Sequence, residues 1–105
     1  MNLRGKKLGI LISVPPGQPG FRHGINLAAA ARAAGVDVYL YCIDQAVAGL
    51  EEPQLQALKN DGLKLYACAF GAQRLDLPLR DQAVFAGLTV VSDLIASTDR
   101  FVSFN

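Results

Sequence analysis

Short apolar runs alternate along this chain with longer mixed stretches, and that alternation predicts strands separated by helices. The run at 8–14 (Leu-Gly-Ile-Leu-Ile-Ser-Val) predicts the first strand. Pro15, Pro16 and Pro19, interleaved with Gly17 and Gly20, stop it, because proline donates nothing to a ladder and glycine permits a tight turn. Residues 21–34 predict an alanine-rich helix closed by Gly35 just past its last turn, with Ala28 and Ala31 on the face that would lie close to a sheet. The run at 36–43 predicts the second strand, and Asp44 is a candidate cap for a short helix to residue 50. Glu51-Glu52-Pro53 then starts another helix: proline suits a first turn, and acids suit the positive end of the helix dipole. Leu55 and Leu58 form its apolar stripe and Asn60-Asp61-Gly62 its end.

Residues 63–70 (Leu-Lys-Leu-Tyr-Ala-Cys-Ala-Phe) predict a buried third strand, expected in the middle of a parallel sheet. Beyond it come one helical turn at 71–75, a loop around Leu77-Pro78-Leu79, and a short strand at 83–86. An amphipathic helix at 88–98 follows, with Leu88, Val91, Leu94 and Ile95 on one side, and a closing strand at 101–104. The pattern predicts an α/β fold: a three-layer α/β/α sandwich on a mostly parallel five-stranded sheet. A single domain over 1–105 matches the usual domain size.

Composition narrows the function classes. Half of the residues are apolar (51%), enough for a real core and too many for disorder. Ten Lys and Arg against nine Asp and Glu leave a formal charge of +1, so the sequence carries no footprint for nucleic acid or an anionic membrane. The softest stretch, 24–35, is interrupted by Asn26 and Arg32 and is too short to span a bilayer. No signal-peptide core follows Arg4, so a cytoplasmic location is expected. There Cys42 and Cys68 are expected to be free thiols. Their spacing fits no zinc or dithiol motif, and one histidine leaves few metal ligands.

Four features are candidates for chemistry. The Pro/Gly loop at 15–20 lacks both the Walker and the dinucleotide spacings, and its prolines remove backbone donors, which disfavours a nucleotide-binding class. Arg22 and His23 open the first helix, where cations are disfavoured; pointing into water is their ordinary reading, and facing an anion above the sheet the functional one. His23 is the one histidine available as an acid or base. Cys42, inside a strand, reads as core filler. Cys68 ends a strand, where open α/β sheets place their chemistry, before a helical turn whose amides favour an ionised thiol and with Arg74 one turn on. The residues alone leave a reactive and a structural Cys68 both open.

Taken together, the alanine-rich helix ending in Ala-Ala-Gly-Val-Asp-Val, the Tyr-Cys-Ile-Asp-Gln-Ala-Val segment at 41–47, Lys64-Leu65-Tyr66-Ala67-Cys68 and the tail from Gly87-Leu88 to Asp99-Arg100-Phe101-Val102-Ser103-Phe104 resemble the DsrE/TusD family of small sulfur-relay proteins. The resemblance implies a parallel α/β/α fold, homo-oligomers of three or six subunits, and no cofactor. It also implies a cysteine that accepts sulfane sulfur as a persulfide from a donor protein and passes it to an acceptor protein. Cys68 matches that cysteine, and Arg74 falls where relatives carry a basic residue; His23 is a further candidate support. Leu75-Asp76 replaces the glycine common after that basic stretch. Such families also contain subunits without sulfur-carrying activity, which leaves an interaction subunit with an inert Cys68 as the competing expectation.

Overall fold

A computed structural model describes residues 2–105, and every element that the pattern predicts is present with its ends moved by a few residues. β1 (Lys7–Ile12), α1 (Pro19–Ala33), β2 (Asp37–Cys42), a 3₁₀ helix (Asp44–Gly49), α2 (Pro53–Asn60), β3 (Lys64–Cys68), α3 (Ala69–Arg74), β4 (Val84–Ala86), α4 (Thr89–Ser97) and β5 (Arg100–Phe104) follow in that order. The strands form one sheet in the order β4-β3-β2-β1-β5, every pair parallel. The expected α/β sandwich is therefore observed.

The layers follow from handedness. Right-handed crossovers from β1 through β4 move steadily toward one edge and keep α1 and α2 on one face. The chain then returns to the far edge, so α4 crosses the other face and packs on β1 and β5. Two glycines mark the close approaches. A Cβ on Gly24 of α1 would come 2.6 Å from Ile12 Cδ1, whereas one on Gly9 of β1 would come 2.5 Å from Phe101 Cδ2 of β5 and 3.2 Å from Thr98 Oγ1, past the end of α4. The deep core lies on the α1 side, where Ile10, Ile12, Val38 and Leu40 meet Phe21, Ile25 and Ala28 with almost no exposed surface. Each such side chain contributes about 1.5–3 kcal/mol when fully buried.

Four expectations need correction. β3 is second from the edge, and β2 is the middle strand, because β5 adds beside β1 and shifts the centre. Asp44 is no cap: it turns out of β2 with φ +54°, a left-handed conformation that a short polar side chain tolerates. Arg22 is not solvated alone but bridges to α2, 3.0 Å from Glu52 Oε1 and 2.6 Å from Gln54 Oε1. The apolar stripe of α4 is split: Leu94 is buried, but Leu88 and Ile95 stay exposed because one helix covers only the β1/β5 side of that face.

The glycine stops behave as expected. Gly35 and Gly62 take φ +85° and +114° at the ends of α1 and α2, where a left-handed residue releases the chain from the helix. α1 begins earlier than expected, with Pro19 in the first turn, where its missing N–H costs nothing. Glu52 caps α2, its carboxylate accepting the Leu55 N–H at 3.0 Å.

Candidate functional site at the carboxyl ends of the strands

The pleat decides which cysteine can act. Cys42 is in register with Ala67, so both point toward the α1 side, and Cys68, one residue on, points to the opposite face. Cys42 is wholly buried, and burial pushes its thiol up to about 12. Cys68 keeps 8% of its surface and lines an open cavity of about 450 Å³.

That cavity is assembled from the ends of three strands. Ser13 follows β1, Asp44 and Gln45 follow β2, and Cys68 ends β3, with Phe70, Gly71, Arg74 and Leu75 supplied by α3 and its cap. It lies where parallel sheets open their crevices. Cys68 is also the N-cap of α3, and the Gly71 N–H donates to its Sγ at 3.4 Å. Gly71 lacks a side chain where α3 meets the 3₁₀ helix; a Cβ there would sit 3.3 Å from Val47 Cγ2. The guanidinium of Arg74 lies 5.8 Å from the centroid of the Phe70 ring, a cation–π arrangement at the cavity wall.

Of the residues singled out in the sequence, Cys68 and Arg74 share this cavity. His23 is exposed on α1 and is not among the lining residues. Sequence reasoning missed Ser13, Asp44, Gln45 and Tyr41. The first three follow strand ends, a signal readable in hindsight from the rule that crevices form there. Tyr41 gave none, because in the sequence it is one of several apolar strand residues. Its hydroxyl donates to the Ala86 carbonyl at 2.9 Å, and Ala86 is the register partner of Cys68. Burial first, then the neighbouring sulfur, raises its phenol well above the ordinary value.

Among the described residues no cluster of three or more His, Cys, Asp and Glu side chains is arranged to hold a metal ion. Nor is any described helix long and apolar enough to cross a membrane.

A family model described as the DsrE/DsrF-like family matches residues 6–104. No curated protein sequence matches the chain. Among solved structures, the crystal structure of the ychN protein from E. coli is similar with a TM-score of 0.79, covering 94% of this chain and 99% of that one at 19% identity. At that identity the likeness concerns the fold.

Proposed function

The chain belongs to the DsrE/DsrF-like family, and from that premise we propose that it is a sulfur carrier whose Cys68 holds a persulfide between a donor and an acceptor protein. The observation that carries this reading is Cys68 itself. It is the cysteine that reaches solvent, it lies in a cavity at the strand ends, and a backbone amide donates to its sulfur. Persulfide relay needs one accessible thiol and some shelter, and no metal or organic cofactor.

The step is a pair of displacements. The Cys68 thiolate attacks the outer sulfur of a donor persulfide R–S–SH, the donor S–S bond breaks, and R–S⁻ leaves with the electron pair. An acceptor thiolate then attacks the outer sulfur of Cys68–S–SH and releases the Cys68 thiolate. Nothing is oxidised or reduced overall. Arg74 on the cavity wall provides positive charge where anionic sulfur species enter. His23, exposed on α1 away from the cavity lining, has no part in this reading.

The carrier works as a homo-oligomer, a trimer or hexamer, in a reducing compartment such as the cytoplasm. The oligomer is supported by the half of the sheet that α4 leaves open: Tyr66 and Val84 sit on that face, and Val84, Leu88 and Ile95 are exposed apolar side chains around it. Parallel sheets are normally covered on both faces.

Incubation with a small sulfane-sulfur donor followed by intact mass measurement tests the carrier reading. The wild type should gain one sulfur atom, about 32 Da, lost on reduction and absent in Cys68→Ser. A wild type that gains nothing, or a Cys68→Ser chain that gains as much, overturns it and leaves an interaction subunit of the same fold.

A further inference from the structure

Tyr41 is the largest of the fully buried side chains, yet its hydroxyl is placed with care for a residue that only fills space. It sits on β2 on the same face as Cys68, and its hydroxyl donates at 2.9 Å to the carbonyl of Ala86 on β4. Ala86 is the register partner of Cys68. The side chain thus reaches across β3 on the face that carries Cys68, and the nearby sulfur adds to the upward push on its phenol. The sulfur in turn accepts the Gly71 N–H at 3.4 Å. The sulfur with its amide donor and the phenol with its carbonyl acceptor therefore lie at neighbouring positions on one face of the sheet.

A phenol is both donor and acceptor, and so is a thiol, which makes the arrangement adjustable. With a neutral thiol, the phenol keeps its bond to Ala86. With an ionised sulfur, the phenol turns its proton from the carbonyl onto the sulfur. A hydrogen bond to a charged acceptor is roughly twice as strong as a neutral one, so the phenol gains by turning to a charged sulfur. We propose that Tyr41 is a positioning residue for Cys68: a phenol with two settings that holds the sulfur toward the cavity and hydrogen-bonds it when it is ionised. This rests on the reading of Cys68 as a reactive thiol. The phenol's own raised ionisation keeps it a donor across the range in which thiols react. The other charged or titratable groups around the sulfur are Asp44 from the 3₁₀ helix and Arg74 from α3 in the cavity wall, with Tyr66 two residues back on β3. None of them is altered by a change at Tyr41.

The rate of Cys68 alkylation by iodoacetamide, followed by mass on the folded full-length chain across pH, tests the proposal. Tyr41→Phe should slow alkylation at neutral pH by about tenfold, the equivalent of one charge-assisted hydrogen bond, and displace the rate profile to higher pH. Tyr39→Phe, two residues earlier on the same face, should leave the profile in place. A folded Tyr41→Phe chain with the wild-type profile overturns the proposal, even if its melting temperature has dropped, since a purely structural tyrosine would do only that. If Tyr41→Phe does not fold, 3-fluorotyrosine at position 41 keeps the hydroxyl and makes it a stronger donor. Faster alkylation at neutral pH then supports the proposal, and an unchanged rate overturns it. Sulfur loading of the wild type reads the carrier function separately, so failure there and failure of Tyr41 are distinguishable.

Discussion

Cys42 and Cys68 both close strands, and a one-residue difference in register sends them to opposite faces of the sheet. That parity, rather than any local motif, separates a core residue from a candidate nucleophile. Because burial pushes the Cys42 thiol up to about 12, it stays protonated through the ordinary working range. Native alkylation should therefore stop at one adduct per chain, on Cys68, and a second should appear only after denaturation; peptide mapping checks this. Arg74 makes a different prediction. It is exposed, so its charge is screened, and Arg74→Ala should slow sulfur uptake from an anionic donor only about two- to fivefold, with the difference shrinking at high salt. Uptake rates at two salt concentrations give the answer. Cys68 and Arg74 were legible because strand end and following turn are adjacent in the chain. Tyr41 was not, because its meaning comes from β3 and β4, which are far away in sequence.

Helices α1 and α2 are tied by a contact that neither predicts alone. Arg22 on α1 reaches Glu52, which caps α2 with the same carboxylate group. Burial would raise that carboxyl, but the Arg22 hydrogen bond, the Leu55 amide and the Arg22 charge outweigh it and hold it below its ordinary value of 4.5. A depressed carboxyl stabilises the fold above the ordinary value, and the contribution disappears as pH falls through the folded value. With Arg22 half in solvent the contribution is about 1 kcal/mol or less. Urea midpoints should accordingly fall less steeply below pH ~4.5 in Glu52→Gln than in wild type. Gly24 sets a sharper limit on α1. A Cβ there would lie 2.6 Å from Ile12 Cδ1 and 3.3 Å from Phe104 Cδ2, so Gly24→Ala should cost about 1–3 kcal/mol by forcing the helix off the sheet, as denaturant unfolding will register. Helix ends were readable where glycine or proline marks them, as at Gly35, Gly62 and Pro53. The short turn at Asp44 was misread, since a left-handed aspartate and a capping aspartate look identical in a sequence.

Across the whole molecule, the return of the chain from β4 to β5 governs the shape. It puts a single helix on the second face and leaves the β3–β4 side open, with Val84 at 59% exposure. If subunits of the proposed oligomer meet there, Val84→Arg should reduce the molar mass measured by light scattering to that of smaller species, because a desolvated unpaired charge is costly in an apolar contact. Retention of the wild-type mass would move the interface elsewhere. The strand order itself could not be read from the residues, because a crossover to the near edge and one to the far edge use the same strand and helix patterns.

By itself, the sequence determined the alternation of strands and helices, the α/β class, the glycine stops, and the position of Cys68 at a strand end, since all of these arise from local periodicity and backbone preference. Only the tertiary structure decided which strand is central, which face each cysteine takes, and which groups surround the sulfur. Those depend on register and crossover direction, which bring together residues that have no proximity along the chain.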